Sequence, residues 1–510
     1  MKPANTLVTR CLTLLMISTI VSALTLPGAA NALAGPPADP ADGVVVTLET
    51  PPYQLSIDAN GFDVVHIDGF APFGMPGEPT LPRKVYNVAL PPDAALDSLS
   101  LEIADIQMIA VPGTYRLRPA TPDITSCSAQ EDAPRYRPSS QPVPNADAAD
   151  LITLSPPGQM RKWLFARLEY SPVQYDVTTG QLSLVTQVTV RISFDQRQGA
   201  QDTTLLADDV FDDVAQETFV NYDTAQGWYR ELGGQDQPSV VYDYVIITTN
   251  AIEAGSSSKL TTFRNHKQSQ GFSVLIITQD QYEGLTGQAP NGTAEKIRKW
   301  LQINYIGYAI EYVLLIGNPD PDDPTSGGDS VGDVPMKMCW PYCTTSSSDA
   351  DGCVSPTDHF YADLTGNWNL NGNIYFGEWG GDYGPAGGVD FANEVTVGRI
   401  PVYNADYAGL DHILQKIIDY ETEADPSSWR KTALLPMSFS TKDYDGAPLA
   451  EQMIDDYLAL GDYSHWTQYQ QGNGPCGLNS IYASNQELRG GPVVKNRWAA
   501  NDYGLVLWWG

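Results

Sequence analysis

The feature that most constrains the fold is a change of pattern near Tyr242. From there the chain alternates short, nearly continuous apolar strands with helical stretches: a strand at 242–248, a helix near 257–269, a strand at 272–278, a helix near 293–306 and a strand at 312–317. After a long loop the pattern resumes, with a strand at 394–400, a helix at 407–421, a strand at 431–437, a helix at 447–460 and a last strand at 504–509. Strands apolar on both sides and separated by helices predict a parallel sheet covered on both faces. In such sheets, ligands and substrates meet the carboxyl ends of the strands.

The stretch from Val44 to about Asp195 reads differently. It consists of short runs rich in Val, Ile, Leu, Thr and Tyr, broken by Pro and Gly, with no sustained helical period. Its clearest unit is a hairpin: Val173–Val177, a Thr178-Thr179-Gly180 turn, and an alternating strand from Leu182 to Phe194. Residues 120–157, dense in Pro, Ser, Asp and Ala, predict an exposed excursion. Residues 196–239 are polar, acidic and poor in pattern, and are expected to link the two halves.

At the N-terminus, Lys2 and Arg10 precede an apolar run from Cys11 to Leu26, followed by Ala30-Asn31-Ala32 and Ala32-Leu33-Ala34. Small residues alternating in this way predict a cleaved signal peptide over 1–34, hence a secreted or cell-surface protein. No later segment is long and apolar enough to span a bilayer. Asp and Glu number 61 against 29 Lys and Arg, a net charge of −32. That balance repels nucleic acid and anionic membranes and attracts cations such as calcium. At 42% hydrophobic residues the chain can bury cores, and at 510 residues it needs more than one.

Without the signal peptide five cysteines remain: Cys127, Cys339, Cys343, Cys353 and Cys476. The cluster at 339, 343 and 353 suits a disulfide better than zinc, since only His359 lies near it. Self-contained catalytic signatures such as GxSxG, HExxH or a phosphate loop are missing from the sequence. A Cys353–His359 pair remains conceivable, but a disulfide or a buried thiol is the simpler reading.

The strongest local signal runs from Asn367 to Glu378. Asn367, Asn369 and Asn371 stand at positions 1, 3 and 5, Gly372 at 6 and Glu378 at 12, close to the spacing of a calcium loop. Asn373 and the nearby Asp363 add oxygen donors, so the candidate Ca2+ ligands are Asn367, Asn369, Asn371, Asn373, Glu378 and Asp363. Asn stands where the pattern prefers Asp, and the flanks are not helical, so a plain Asn-Gly loop is the alternative.

Several stretches in order resemble the gingipain family of cysteine peptidases, relatives of caspases and legumains. Gly77-Glu78-Pro79-Thr80-Leu81-Pro82 and Tyr170-Ser171-Pro172-Val173-Gln174-Tyr175 with Thr179-Gly180 resemble its propeptide. Tyr242–Thr248 resembles its first catalytic strand, Asp358–Asp363 with the calcium-like loop its acidic insert, and Glu394–Pro401 its strand ending in Gly-Arg. The resemblance implies a multidomain protein, a β-rich propeptide domain followed by an α/β doubly wound, caspase-like catalytic domain. The expected bounds are 1–34 for the signal peptide, 35–195 for the propeptide-like domain, 196–239 for a linker or activation region and 240–510 for the peptidase domain. Protein or peptide substrates and the chain's own propeptide are the implied partners.

In that family the catalytic His follows a strand like Gly504–Gly510, and the nucleophilic Cys follows one strand later. Both are therefore expected after Gly510, the catalytic domain being truncated in this sequence, and neither role passes to a residue present. The family also places an acidic residue after the strand matched here by 431–437, for which Asp443 and Asp445 are the candidates. For a complete protein the resemblance implies acyl transfer through a thioester. A non-catalytic, calcium-binding secreted scaffold is the alternative, as is an enzyme using Cys353 or Cys476.

Overall fold

The computed structural model describes residues 43–58, 61–75, 78–120, 151–197, 202–230, 240–255, 259–323, 330–341, 354–423, 427–441, 444–472 and 477–509. The expected signal peptide lies outside these residues, as do Cys127, Cys343, Cys353, Cys476 and Asp443. The described residues fall into two compact units. The first takes those within Met1–Phe73, Leu81–Arg118 and Pro142–Ile418, the second those within Gly74–Thr80, Pro119–Gln141 and Asp419–Gly510.

The N-terminal part of the first unit is antiparallel β-structure. Strands β1 (Val44–Glu49), β2 (Tyr53–Ile57), β3 (Asp63–Ile67), β4 (Ala71–Phe73), β5 (Leu81–Leu90), β6 (Ser100–Val111), β7 (Ile152–Met160), β8 (Trp163–Tyr170), β9 (Val173–Asp176) and β10 (Gln181–Ser193) follow in chain order. One sheet runs β1-β10-β6 with β9 on β10, a second runs β4-β5-β8-β7, and β2 pairs with β3. Alternating residues such as Val44, Val46 and Leu48 of β1 and Val188, Val190 and Ile192 of β10 share a core with Val88, Leu90, Ala166 and Leu168. Period-two burial of this kind fixes register, because a one-residue slip would turn that core face to water.

Two expectations need correction here. Residues 152–157, read as part of an exposed excursion, belong to β7. The Pro156-Pro157 pair that argued against a strand is taken up by a register shift between Ser155 and Gly158 on an edge strand, where proline leaves no ladder bond unmade. Gly158 is required at that bulge, since a Cβ there would lie 2.4 Å from the Phe165 ring. Residues 203–230, read as a linker without pattern, form helices at Thr203–Leu206, Asp212–Thr218 and Tyr222–Arg230. Leu206, Phe211, Ala215, Phe219, Ala225 and Tyr229 bury against Met160, Trp163 and Phe165. Their roughly four-residue spacing is the helical signal, masked by the acidic residues between them.

The rest of the first unit carries a parallel sheet. Strands β11 (Tyr244–Ile247), β12 (Val274–Ile277) and β13 (Tyr312–Gly317) are followed by the short antiparallel pair β14 (Lys337–Cys339) and β15 (Ser355–Thr357), and then by β16 (Thr396–Pro401). The order is β12-β11-β13-β16, all parallel. Val245, Ile247, Val313 and Leu315 face one core with Ile297 and Leu301 of the helix Thr293–Asn304. Tyr244, Ile246, Leu314 and Ile316 face another with Leu260 and Phe263 of Lys259–Ser269 and Leu410 and Leu414 of Tyr407–Thr422. The sheet is thus covered on both faces, as continuous apolar strands require.

In the second unit β17 (Thr432–Met437) is followed by the small hairpin β18 (Phe439–Thr441) and β19 (Tyr444–Asp445), then by β20 (Ser464–Gln470), β21 (Gln486–Leu488) and β22 (Leu505–Val506). Its sheet order is β21-β20-β17-β22, again all parallel. The helix Ala447–Met453 continues as a wider π turn over Ile454–Leu458, and with Ala433, Leu435 and Tyr469 it closes the core on one face. No helix among the described residues is long and apolar enough to cross a membrane.

Candidate functional site

The carboxyl ends of β17 and β22 lie side by side in the second unit. Met437 pairs with Trp509, the Ser438 N–H donates to the Trp509 carbonyl at 2.8 Å, and a Cβ at Gly446 would strike the Trp509 ring. Asp445, a candidate dyad-support or pocket residue, stands at this edge, where its Oδ1 accepts the N–H of Ala447, the first residue of the following helix, at 3.0 Å. Its partner candidate Asp443 lies outside the described residues.

The loop from Asn367 to Glu378 is a chain of side-chain-to-backbone turns. Asn367 Oδ1 accepts from Asn369 N, Asn371 Oδ1 from Asn373 N, and Asn373 Oδ1 from Tyr375 N. Glu378 is buried, and its Oε2 accepts from the amides of both Asn371 and Asn373. Asp382, fully buried, accepts from Leu370 N and Glu378 N, and burial raises its pKa. Asn369 Oδ1 is shielded from solvent and has no hydrogen-bond partner.

The structure therefore gathers Asn371, Asn373 and Glu378, with Asn369 tied in through its amide to the Asn373 carbonyl at 2.8 Å. It does not bring in Asn367, whose Oδ1 also accepts from Gln288 Nε2. Asp363 is engaged elsewhere, its oxygens accepting from Gly366 N at 2.7 Å and Trp368 Nε1 at 3.0 Å. No group of three or more His, Cys, Asp or Glu among the described residues is placed to hold a metal.

Sequence reasoning missed Arg161. It opens the two-residue turn between β7 and β8, closed by Met160 paired with Trp163, and has φ of +52°. Glycine or asparagine usually takes such a position. The side chain is 0% exposed. Nε and Nη2 donate to Asp208, the latter at 2.8 Å, while Nη1 donates to the carbonyls of Glu394 at 2.7 Å and Ile310 at 2.9 Å. Nη2 reaches the Tyr305 carbonyl at 3.4 Å, and the rings of Tyr305 and Phe211 flank the guanidinium. The only sequence signal is a basic pair, Arg161-Lys162, where a hairpin would favour Asn-Gly.

Around this turn sit buried carboxylates. The Gln159 N–H donates to Asp390 Oδ2 at 2.7 Å, and the Arg161 N–H to Glu394 Oε1 at 3.3 Å. Glu394 also accepts from Leu364 N and Thr365 N. Burial, reinforced by the neighbouring Asp363, pushes Asp390 up to about 7 and Glu394 well above the usual carboxylate range. The buried Arg298 donates to the carbonyls of Asp363 and Gly366, facing the same cluster. On β16, Arg399 forks onto Asp358 with two 2.7 Å bonds, so the Gly-Arg strand end fixes the start of the acidic insert.

Cys339 is buried as a free thiol with its pKa pushed up to about 12 by burial, the opposite of what a nucleophile needs. His359 is stacked on Phe391 and packed near Trp368, and burial lowers its pKa. Neither has the setting of a catalytic pair; Cys353 lies outside the described residues.

The model of peptidase family C25 matches residues 237–495, and the model of that family's propeptide, Propeptide_C25, matches residues 52–227. No curated protein matches the chain. Among solved structures, a complex of Porphyromonas gingivalis RgpB pro- and mature domains matches at 18% identity and a TM-score of 0.29, covering 38% of this chain and 97% of that one. A structure concerned with the zymogenic latency of gingipain K from Porphyromonas gingivalis matches at 24% identity and a TM-score of 0.25, covering 31% of this chain and 87% of that one.

Proposed function

The chain belongs to peptidase family C25, and from that membership, with propeptide and peptidase regions in one polypeptide, we propose that it serves as the latent form of a secreted cysteine endopeptidase acting on proteins or peptides. Family membership makes it a gingipain-type cysteine peptidase precursor. The reaction proposed for the active form is acyl transfer. A thiolate attacks the peptide carbonyl, an imidazolium protonates the leaving amine, backbone N–H groups hold the oxyanion, and water releases the acyl group from the thioester.

The observation that carries this reading is the shared carboxyl edge of β17 and β22. β17 ends there at Met437, bridged to Trp509 three residues beyond β22 and beside Asp445, the kind of edge where α/β sheets assemble their chemistry. The settings of Cys339 and His359 agree with catalysis by other residues.

The test is an assay of peptide hydrolysis by the precursor that carries this chain, before and after proteolytic removal of the N-terminal domain. Removal should unmask hydrolysis that iodoacetamide abolishes. Hydrolysis indifferent to thiol alkylation, or none after complete removal, would sink the reading.

We further propose that the loop around Glu378 takes a calcium ion. The orphaned, buried Asn369 Oδ1 and the neighbouring buried carboxylates of Glu378 and Asp382 are oxygen donors of the kind a hard cation takes. When bound, calcium would supply structural cross-linking of this loop.

A further inference from the structure

We propose that Arg161 is a latch, a guanidinium that the N-terminal domain seats in a cage of main-chain carbonyls from Tyr305, Ile310 and Glu394, and that keeps the two regions together after the connection between them is cut. This rests on the reading of the chain as a peptidase precursor.

Four observations carry the latch. The first is charge. Arg161 is neutralised by Asp208, itself only 4% exposed and on the same side of the contact, within the stretch matched by the propeptide model. The cation therefore arrives as a preformed pair, and the peptidase-matched side need offer only dipoles. That lowers the desolvation penalty that makes isolated buried ion pairs poor glue.

The second is the cage. Tyr305 caps the carboxyl end of the helix Thr293–Asn304, where the helix dipole favours a cation, and its carbonyl also accepts the Ile310 N–H at 2.9 Å. With the carbonyls of Ile310 and Glu394 it surrounds a single guanidinium edge. The third is the seal: Ala392 of the peptidase-matched region is buried in one cluster with Met160, Trp163 and Phe211, excluding water around the ion.

The fourth is the backbone. Arginine at φ +52° is conformationally unfavourable, whereas glycine would sit there without strain. A strained residue whose side chain donates to three main-chain carbonyls across the boundary points to a role beyond closing the turn. The flanking bonds from Gln159 N to Asp390 and from Arg161 N to Glu394 make the whole turn, not the side chain alone, the docking element.

The experiment uses the precursor that carries this chain, with a specific-protease recognition sequence inserted between Gly234 and Gln235. After cutting, gel filtration and dilution-jump measurements report whether the two fragments stay together. Wild-type fragments should co-elute, and R161G should dissociate roughly 30-fold faster or more, the range for truncating one side of a buried charge contact. Because glycine relieves the turn, that loss is not damage to the hairpin. R161G/D208N removes the anion left unpaired in R161G and should lose retention as well, with an unchanged circular dichroism spectrum before cutting.

Wild-type fragments that separate at once, or R161G/D208N fragments that stay together as tightly as wild type, overturn the latch. Arg161-dependent retention, with no thiol-dependent hydrolysis after separation, would leave the latch standing and remove the peptidase reading.

Discussion

At the residue scale, the carboxylates beneath the Arg161 turn set a pH dependence with a definite sign. Asp390 has a folded-state pKa raised to about 7, and Glu394 is raised too, so the folded protein binds these protons more tightly than the unfolded chain. Their contribution is fully present below the ordinary carboxylate range near pH 4 and is lost as pH rises through about 7. Facing Asp390 are Asp363 and Glu394, which oppose its ionisation, and Arg167 with the N–H groups of Gln159 and Ala392, which favour it. Arg298 faces Asp363 and Glu394 from the neighbouring helix. The melting temperature should therefore fall from pH 5 to pH 8, and D390N should flatten that fall. An unchanged slope in D390N would assign the pH dependence to the other 60 acidic residues of the chain.

At the scale of elements, the sheet of the first unit depends on side chains that have no room to adjust. Leu315 of β13 is 0% exposed, packed with Val245 and Leu301. Leu315→Ala should destabilise that unit by about 2–5 kcal/mol, read as an earlier urea transition by tryptophan emission; a smaller effect would mean the core collapses into the space. This part of the fold was legible. The apolar run at 312–317 and the helical stretches near 257–269, 293–306 and 407–421 emerge within a few residues of their expected bounds. β20 was not legible, because Ser464-His465-Trp466-Thr467-Gln468-Tyr469-Gln470 buries Gln468 and Gln470 behind side-chain hydrogen bonds instead of presenting apolar alternation. The helix Gly491–Ala499, opening on Gly-Pro, was hidden in the same way. For the candidate site, spacing identified Glu378 with Asn371 and Asn373, but Arg161 became visible only through contacts 47 to 233 residues away, which no local pattern encodes.

At the scale of the whole molecule, a net charge of −32 makes cation binding a lever on stability. Excess Ca2+ over EGTA should raise the melting temperature of the protein by a few degrees, and E378Q should abolish the increment; an equal shift in E378Q would assign it to diffuse binding. The strained turn has a different molecular consequence. Held at φ +52° by its partner, the Arg161 turn should relax once the domains part. Recapture would then have to rebuild a conformation that release gives up freely. That relaxation favours the separated state and slows return by the cost of rebuilding the turn, so that an activation event, once completed, resists being undone.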